Sequence, residues 1–85
     1  MGTLDKLKAR IQEIPADFTY TEGKRLLQML GYEEFNKGKT SGSRVKFYRK
    51  TDQAVIMLHK PHPGSEMRKN AVRDIVQKLK EYGDL

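Results

Sequence analysis

The chain has 85 residues, with 17 Lys+Arg against 11 Asp+Glu, a formal charge of +6, two histidines and no cysteine. This length allows one hydrophobic core, burying roughly 60–65% of the surface the unfolded chain exposes. Without cysteine there is no disulfide framework, thiolate zinc site or cysteine nucleophile, and two histidines fall short of the ligands a zinc site needs, so no metal or cofactor is expected.

The first element predicted is a leader helix. Leu4, Leu7, Ile11 and Ile14 recur at helical spacing behind Thr3 as a cap, and Pro15 stops the stripe. Residues 1–17 are taken as this leader, docked on the domain, a mobile arm or a partner-binding element, and 18–85 as the domain proper. Thr19-Tyr20-Thr21-Glu22 has the form of a capping box, followed by Leu26, Leu27, Met29 and Leu30 and then Gly31, which predicts a second helix over about 20–30. Tyr32 to Phe35 reads as a short strand and 37–43 as a polar Gly/Ser/Lys loop or a twisted strand end.

Val45 and Phe47 alternate with Arg44, Lys46 and Tyr48, a half-buried strand with one basic face. Thr51-Asp52-Gln53 reads as a turn. Ala54 to Leu58, the longest apolar run at five residues, is apolar in both phases and predicts a central strand under helices. It is too short to cross a membrane. His59 to Ser65 holds Pro61, Pro63 and Gly64, a loop. Ala71, Val72, Ile75, Val76 and Leu79 then line one face of a closing helix that ends at Tyr82-Gly83. The expectation is an α+β two-layer sandwich: a three-stranded antiparallel sheet with helices on one face, and Arg44, Lys46 and Tyr48 on the open one. No apolar signal-peptide core is present in the first residues, and the domain is expected in the cytoplasm.

Chemistry concentrates in 37–50. This segment holds Lys37, Lys39, Arg44, Lys46, Arg49 and Lys50 with no acidic residue, interleaved with Gly38, Gly42, Ser41 and Ser43. Cations along a strand and its loop follow a phosphate backbone, glycines admit close main-chain approach, and Tyr48 can stack on a base. The bland alternative, lysines that solvate an edge strand, is outweighed by six unopposed charges in fourteen residues. Gly38-Lys39-Thr40 matches the end of a nucleotide-binding phosphate loop, but no glycine stands at 33 and a strand follows, so that reading is rejected. Glu33-Glu34 is a solvated strand start, its two carboxylates on opposite faces.

In His59-Lys60-Pro61-His62, His59 and His62 are the candidates for proton transfer. Met67, Arg68 and Lys69 open the closing helix, where N–H groups and two cations suit a phosphate. The nucleic-acid-contacting set is thus Lys37, Lys39, Ser43, Arg44, Lys46, Tyr48, Lys60, Arg68 and Lys69.

Leu26-Leu27-x-x-Leu30-Gly31-Tyr32, Gly42-Ser43 leading a strand, and Pro61-His62-Pro63 before a final amphipathic helix resemble HicA-type toxins over about 18–83. The resemblance implies a fold like that of double-stranded-RNA-binding domains. It further implies a messenger-RNA endonuclease (on single-stranded RNA, metal-independent) and a cognate HicB-type antitoxin that covers the active surface. In that family the strand usually opens Gly-Ser-His, the histidine being catalytic; here Arg44 takes the position. Arginine stays protonated and binds phosphate rather than moving protons, which leaves His59 and His62 for that task and Arg44 to hold charge. The competing reading keeps the fold and charge without chemistry: a binding module for RNA, or for the antitoxin alone.

Overall fold

Local signals at helix ends set the architecture. A computed structural model of the chain describes residues 2–35, 44–59 and 66–85, with the backbone alone at position 44. In it, α1 (Thr3–Gln12), α2 (Tyr20–Met29), β1 (Glu33–Phe35), β2 (Arg44–Arg49), β3 (Ala54–His59) and α3 (Lys69–Glu81) follow in that order. The capping box ahead of α2 is complete. The Thr19 hydroxyl accepts from the Glu22 N–H at 3.1 Å, and Glu22 Oε1 accepts from the Thr19 N–H at 3.0 Å. Thr3 does not cap α1: it lies inside the helix, Gly2 is the cap residue, and no side-chain bond closes that end.

Both α2 and α3 end in the same way. Gly31, at φ +97°, lets Tyr32 N–H reach back to the Leu27 carbonyl at 2.9 Å and its own N–H to Gln28 at 3.1 Å. Gly83, at φ +82°, does the same for Asp84 on Leu79 and for itself on Lys80. This is the Schellman geometry, which needs a residue without a Cβ penalty at positive φ. Its consequence is positional: each turn throws the next side chain, Tyr32 or Asp84, back over the body of the domain.

The sheet is antiparallel in the order β1-β2-β3. Register pairs Glu33 with Tyr48 and Phe35 with Lys46 on one side of β2, and Phe47 with Ile56 and Lys46 with Met57 on the other. The architecture is α+β, a three-stranded sheet with its helices on one face, as the pattern predicts. One detail differs: the apolar strand at 54–58 is an edge, and the basic strand β2 is central. The run is apolar in both phases for another reason. Ala54, Ile56 and Leu58 are buried, whereas Val55 is half-exposed and Met57 exposed. The Tyr82 hydroxyl covers this edge at Val55, donating to its carbonyl at 3.1 Å and accepting from its N–H at 3.4 Å.

Between sheet and helices lies one core. Phe47, Ile56 and Leu58 meet Phe18, Leu26, Leu27, Val72, Ile75 and Leu79 there. A Cβ at Gly23 would meet Phe18, Met67 and Leu58 at 3.5–3.8 Å, ordinary van der Waals contact, so α2 packs closely here without requiring glycine. Leu7 and Ile11 of α1 belong to the same core, Ile11 being fully buried. Arg10 fastens α1 further: its Nε donates to Glu22 Oε2 at 2.7 Å and its Nη2 to Asp17 at 3.1 Å. The Glu22 carboxyl, already held by the α2 cap, is lowered below its ordinary range chiefly by the Arg10 hydrogen bond.

Candidate nucleic-acid interface

Strand alternation assigns β2 two faces. Val45 and Phe47 turn inward and are buried; Lys46 is exposed and Tyr48 half-exposed, out of phase with them. Position 44 is in phase with 46 and 48, and it is the register partner of His59 at the end of β3. Lys46–Met57, two residues along, is the next cross-strand pair of the same phase as 44–59. The described portion of the site is thus an end of the β2–β3 ladder: position 44, exposed His59, Lys46 one pair further in, then Tyr48. Lys46 Nζ lies 5.4 Å from the centroid of the Phe35 ring on β1.

His59 also opens onto a groove between the free edge of β3 and α3. Met57, His59, Arg68, Asn70 and Asp74 are among the residues lining it, with Met67 at its floor. Arg68 is the N-cap residue of α3; no side chain caps that end, and the first turn has no acidic residue. The fold therefore brings His59 and Arg68 to one groove, while Lys69 lies exposed on the first turn beside it. Met67 reaches the groove only at its floor: it is buried in the core, its N–H donating to the Phe18 carbonyl at 2.7 Å. Lys37, Lys39, Ser43, Lys60 and His62 lie outside the described residues, as do the Gly42-Ser43 and Pro61-His62-Pro63 motifs. Among the described residues, no group of three or more His, Cys, Asp or Glu is arranged to hold a metal ion.

Arg49 leaves the basic segment. In phase with Val45 and Phe47, it turns inward, and its guanidinium is taken up by the ends of the two capped helices. Nη1 donates to Asp84 Oδ1 at 2.8 Å and to the Leu30 carbonyl at 3.1 Å; Nε and Nη2 donate to the two oxygens of Asp52 at 3.0 and 2.7 Å. The guanidinium carbon lies 4.5 Å from the centroid of Tyr32, whose hydroxyl donates to Asp84 at 3.2 Å. Asp52, then Asp84, raise the Arg49 pKa further above its ordinary value. Burial, then Asp84, raises that of the Tyr32 phenol. This cation is structural. Parity along β2 was the signal that separates it from Lys46; Asp52 stands three residues on, whereas Asp84, 35 residues away, is too distant in sequence to be seen as its partner.

On this small α+β domain, the described residues of the sheet face away from the helical core include Lys46, Tyr48 and, at its end, exposed His59. Residues 21–83 match the family of the HicA toxin of bacterial toxin–antitoxin systems, and the chain belongs to that family. Membership implies a cognate antitoxin. No curated protein and no solved structure matches the chain significantly. Among the described residues, no helix is long and apolar enough to cross a membrane.

Proposed function

We propose that this chain is an endoribonuclease toxin that cleaves messenger RNA in the cytoplasm and is neutralised by a HicB-type antitoxin lying over its cationic face. The observation that carries the reading is the cross-strand pairing of position 44 with exposed His59, in phase with Lys46 and Tyr48. It sets an imidazole opposite the backbone position that carries Arg44.

The reaction class follows. A base takes the proton of a ribose 2′-OH, and the oxygen attacks the adjacent phosphorus. The P–O5′ bond breaks and the leaving 5′ oxygen takes up a proton, giving a 2′,3′-cyclic phosphate and a 5′-hydroxyl. His59 is assigned to proton transfer with His62 as its counterpart. Arg44 and Lys46 stabilise the extra negative charge on the phosphorane. Arg68, Lys69, Lys37, Lys39, Ser43 and Lys60 hold the flanking phosphates, and no metal takes part.

A second reading rests on Arg44 itself. With arginine where the family carries histidine, the surface binds RNA or antitoxin and cuts nothing. Labelled single-stranded RNA incubated in chelator with the intact chain and with Arg44→Ala, His59→Ala, His62→Ala and the double histidine variant separates the two. Cleavage to cyclic-phosphate ends, abolished in the double variant, supports the enzyme. Cleavage at the parent rate by the double variant overturns the histidine assignment. RNA retained but intact after long incubation, with a steep salt dependence, establishes the binding module.

A further inference from the structure

β3 ends the sheet, and its outer edge is only partly covered. The Tyr82 hydroxyl takes both main-chain groups of Val55, accepting from the N–H at 3.4 Å and donating to the carbonyl at 3.1 Å. Those groups therefore point away from β2, and strand alternation points the N–H and C=O of Met57 and His59 the same way. Among the described residues, neither finds a hydrogen-bond partner on that side. Met57 is 43% exposed, and His59 is exposed as well. An edge with bare donors and acceptors is a template for another strand, and native folds ordinarily blunt it. Here Tyr82 blunts one rung and leaves the next two open, about 7 Å apart.

Across the groove from these rungs stands α3. The groove holds about 1270 Å³, beyond the roughly 300–1,000 Å³ that encloses a small ligand, so its scale is that of a peptide. Ala71, Ile75 and the buried Met67 give it apolar lining. Arg68 and Lys78 are matched there by Glu66, Asp74 and Glu81. Three carboxylates oppose the entry of a phosphate chain, and a phosphate diester has no donor for the two open carbonyls.

We propose that the free edge of β3 receives an extended segment of the antitoxin as a fourth strand, its main chain paired with Met57 and His59 and its alternate side chains set into the groove beside α3. The inference rests on the antitoxin reading above and deepens it, naming the contact that holds the partner next to His59. A peptide main chain presents a donor and an acceptor in the two-residue rhythm that this edge leaves unfilled. A second copy of this chain offers the same edge but brings a charge of +6 against +6.

The test follows amide hydrogen exchange by NMR in the intact chain, alone and bound to its co-expressed cognate antitoxin. In the free chain Ile56 and Leu58, whose N–H groups face β2, should exchange slowly, and Met57 and His59 fast. In the complex, Met57 and His59 should slow at least tenfold. Met57→Pro removes the open donor at a position where an edge strand tolerates proline. It should weaken the complex about tenfold, the share of one main-chain hydrogen bond. Met57→Leu, which keeps the main chain, should bind as the parent does. Thermal melting establishes that each variant folds, and the exchange pattern of the parent decides the matter if the proline variant does not.

A complex in which Met57 and His59 still exchange fast overturns the added strand while the antitoxin reading stands. Full affinity in a folded Met57→Pro does the same. Slowing of both amides by single-stranded 2′-O-methyl RNA, or by raising the concentration of the free chain, assigns the edge to RNA or to a second copy and overturns it too. If the antitoxin does not bind the chain, its part of the functional reading falls, and the added strand with it.

Discussion

Replacing Arg49 by methionine tests whether the ends of α2 and α3 are tied to the sheet through one guanidinium. The methionine keeps apolar volume over Tyr32 but removes every donor to Asp84, Asp52 and the Leu30 carbonyl. The pair that matters is Arg49–Asp84, whose side chains are 12% and 13% exposed. Removing one partner of a buried ion pair costs about 3–5 kcal/mol, because the other charge stays behind without its partner. Residual solvent access at Asp84 and its remaining bond from Tyr32 place this case at the low end, about 3 kcal/mol. Asp52, 42% exposed, adds little.

A chain of this size has roughly 4–13 kcal/mol in total, so the loss is a large fraction. It should lower the melting temperature by roughly 12–24 °C, at 4–8 °C per kcal/mol. The assay is a double-mutant cycle with Asp84→Asn, followed by urea and thermal unfolding at neutral pH. The coupling should reach at least about 1 kcal/mol. A loss under about 1 kcal/mol for Arg49→Met, or single effects that add within about 0.5 kcal/mol, would refute the reasoning. Arg49 would then be available to RNA, and its removal would instead flatten the salt dependence of binding.

Ile11→Ala opens a cavity under α1 and should cost about 2–4 kcal/mol in urea unfolding; a loss near zero would mean α1 is not part of the cooperative unit. Thr19→Ala removes the acceptor for the Glu22 N–H and should cost about 1 kcal/mol, largely recovered by Thr19→Ser. Glu22 provides a pH test. Its folded-state pKa lies below the ordinary 4.5, first because of Arg10, so near that pH the unfolded chain binds more protons than the folded one. The stability it contributes is complete above that value and is lost as pH falls through the folded-state pKa. A urea midpoint followed from pH 7 down to pH 3 should therefore fall less steeply in Glu22→Gln than in the parent. Identical acid limbs would remove Glu22 from the cause.

Much of the fold was legible because its signals are local. The Thr19–Glu22 box spans one turn, the two glycines lie where left-handed backbone is required, and the 3.6-residue stripes of α2 and α3 name their buried faces. Alternation in β2 likewise separated Lys46 and Tyr48 from Val45 and Phe47 before any partner was known. Thr3 failed as a cap for a local reason too, since the helix begins one residue earlier than its side chain would need.

The amino-acid sequence by itself determined the elements, the cationic character of β2, and a family resemblance that residues 21–83 bear out. Those properties rest on spacing within a few residues and on composition. Tertiary structure alone decided which strand is central, since Leu58 and Phe47 are buried alike and only pairing tells an edge from a middle. It also decided that Arg49 is spent on Asp84, 35 residues away, and that His59 faces position 44 rather than solvent alone. The exposed row Phe35–Lys46–Met57 is likewise a product of register across three strands. Each of these depends on contacts between residues distant in the chain, which no local pattern encodes.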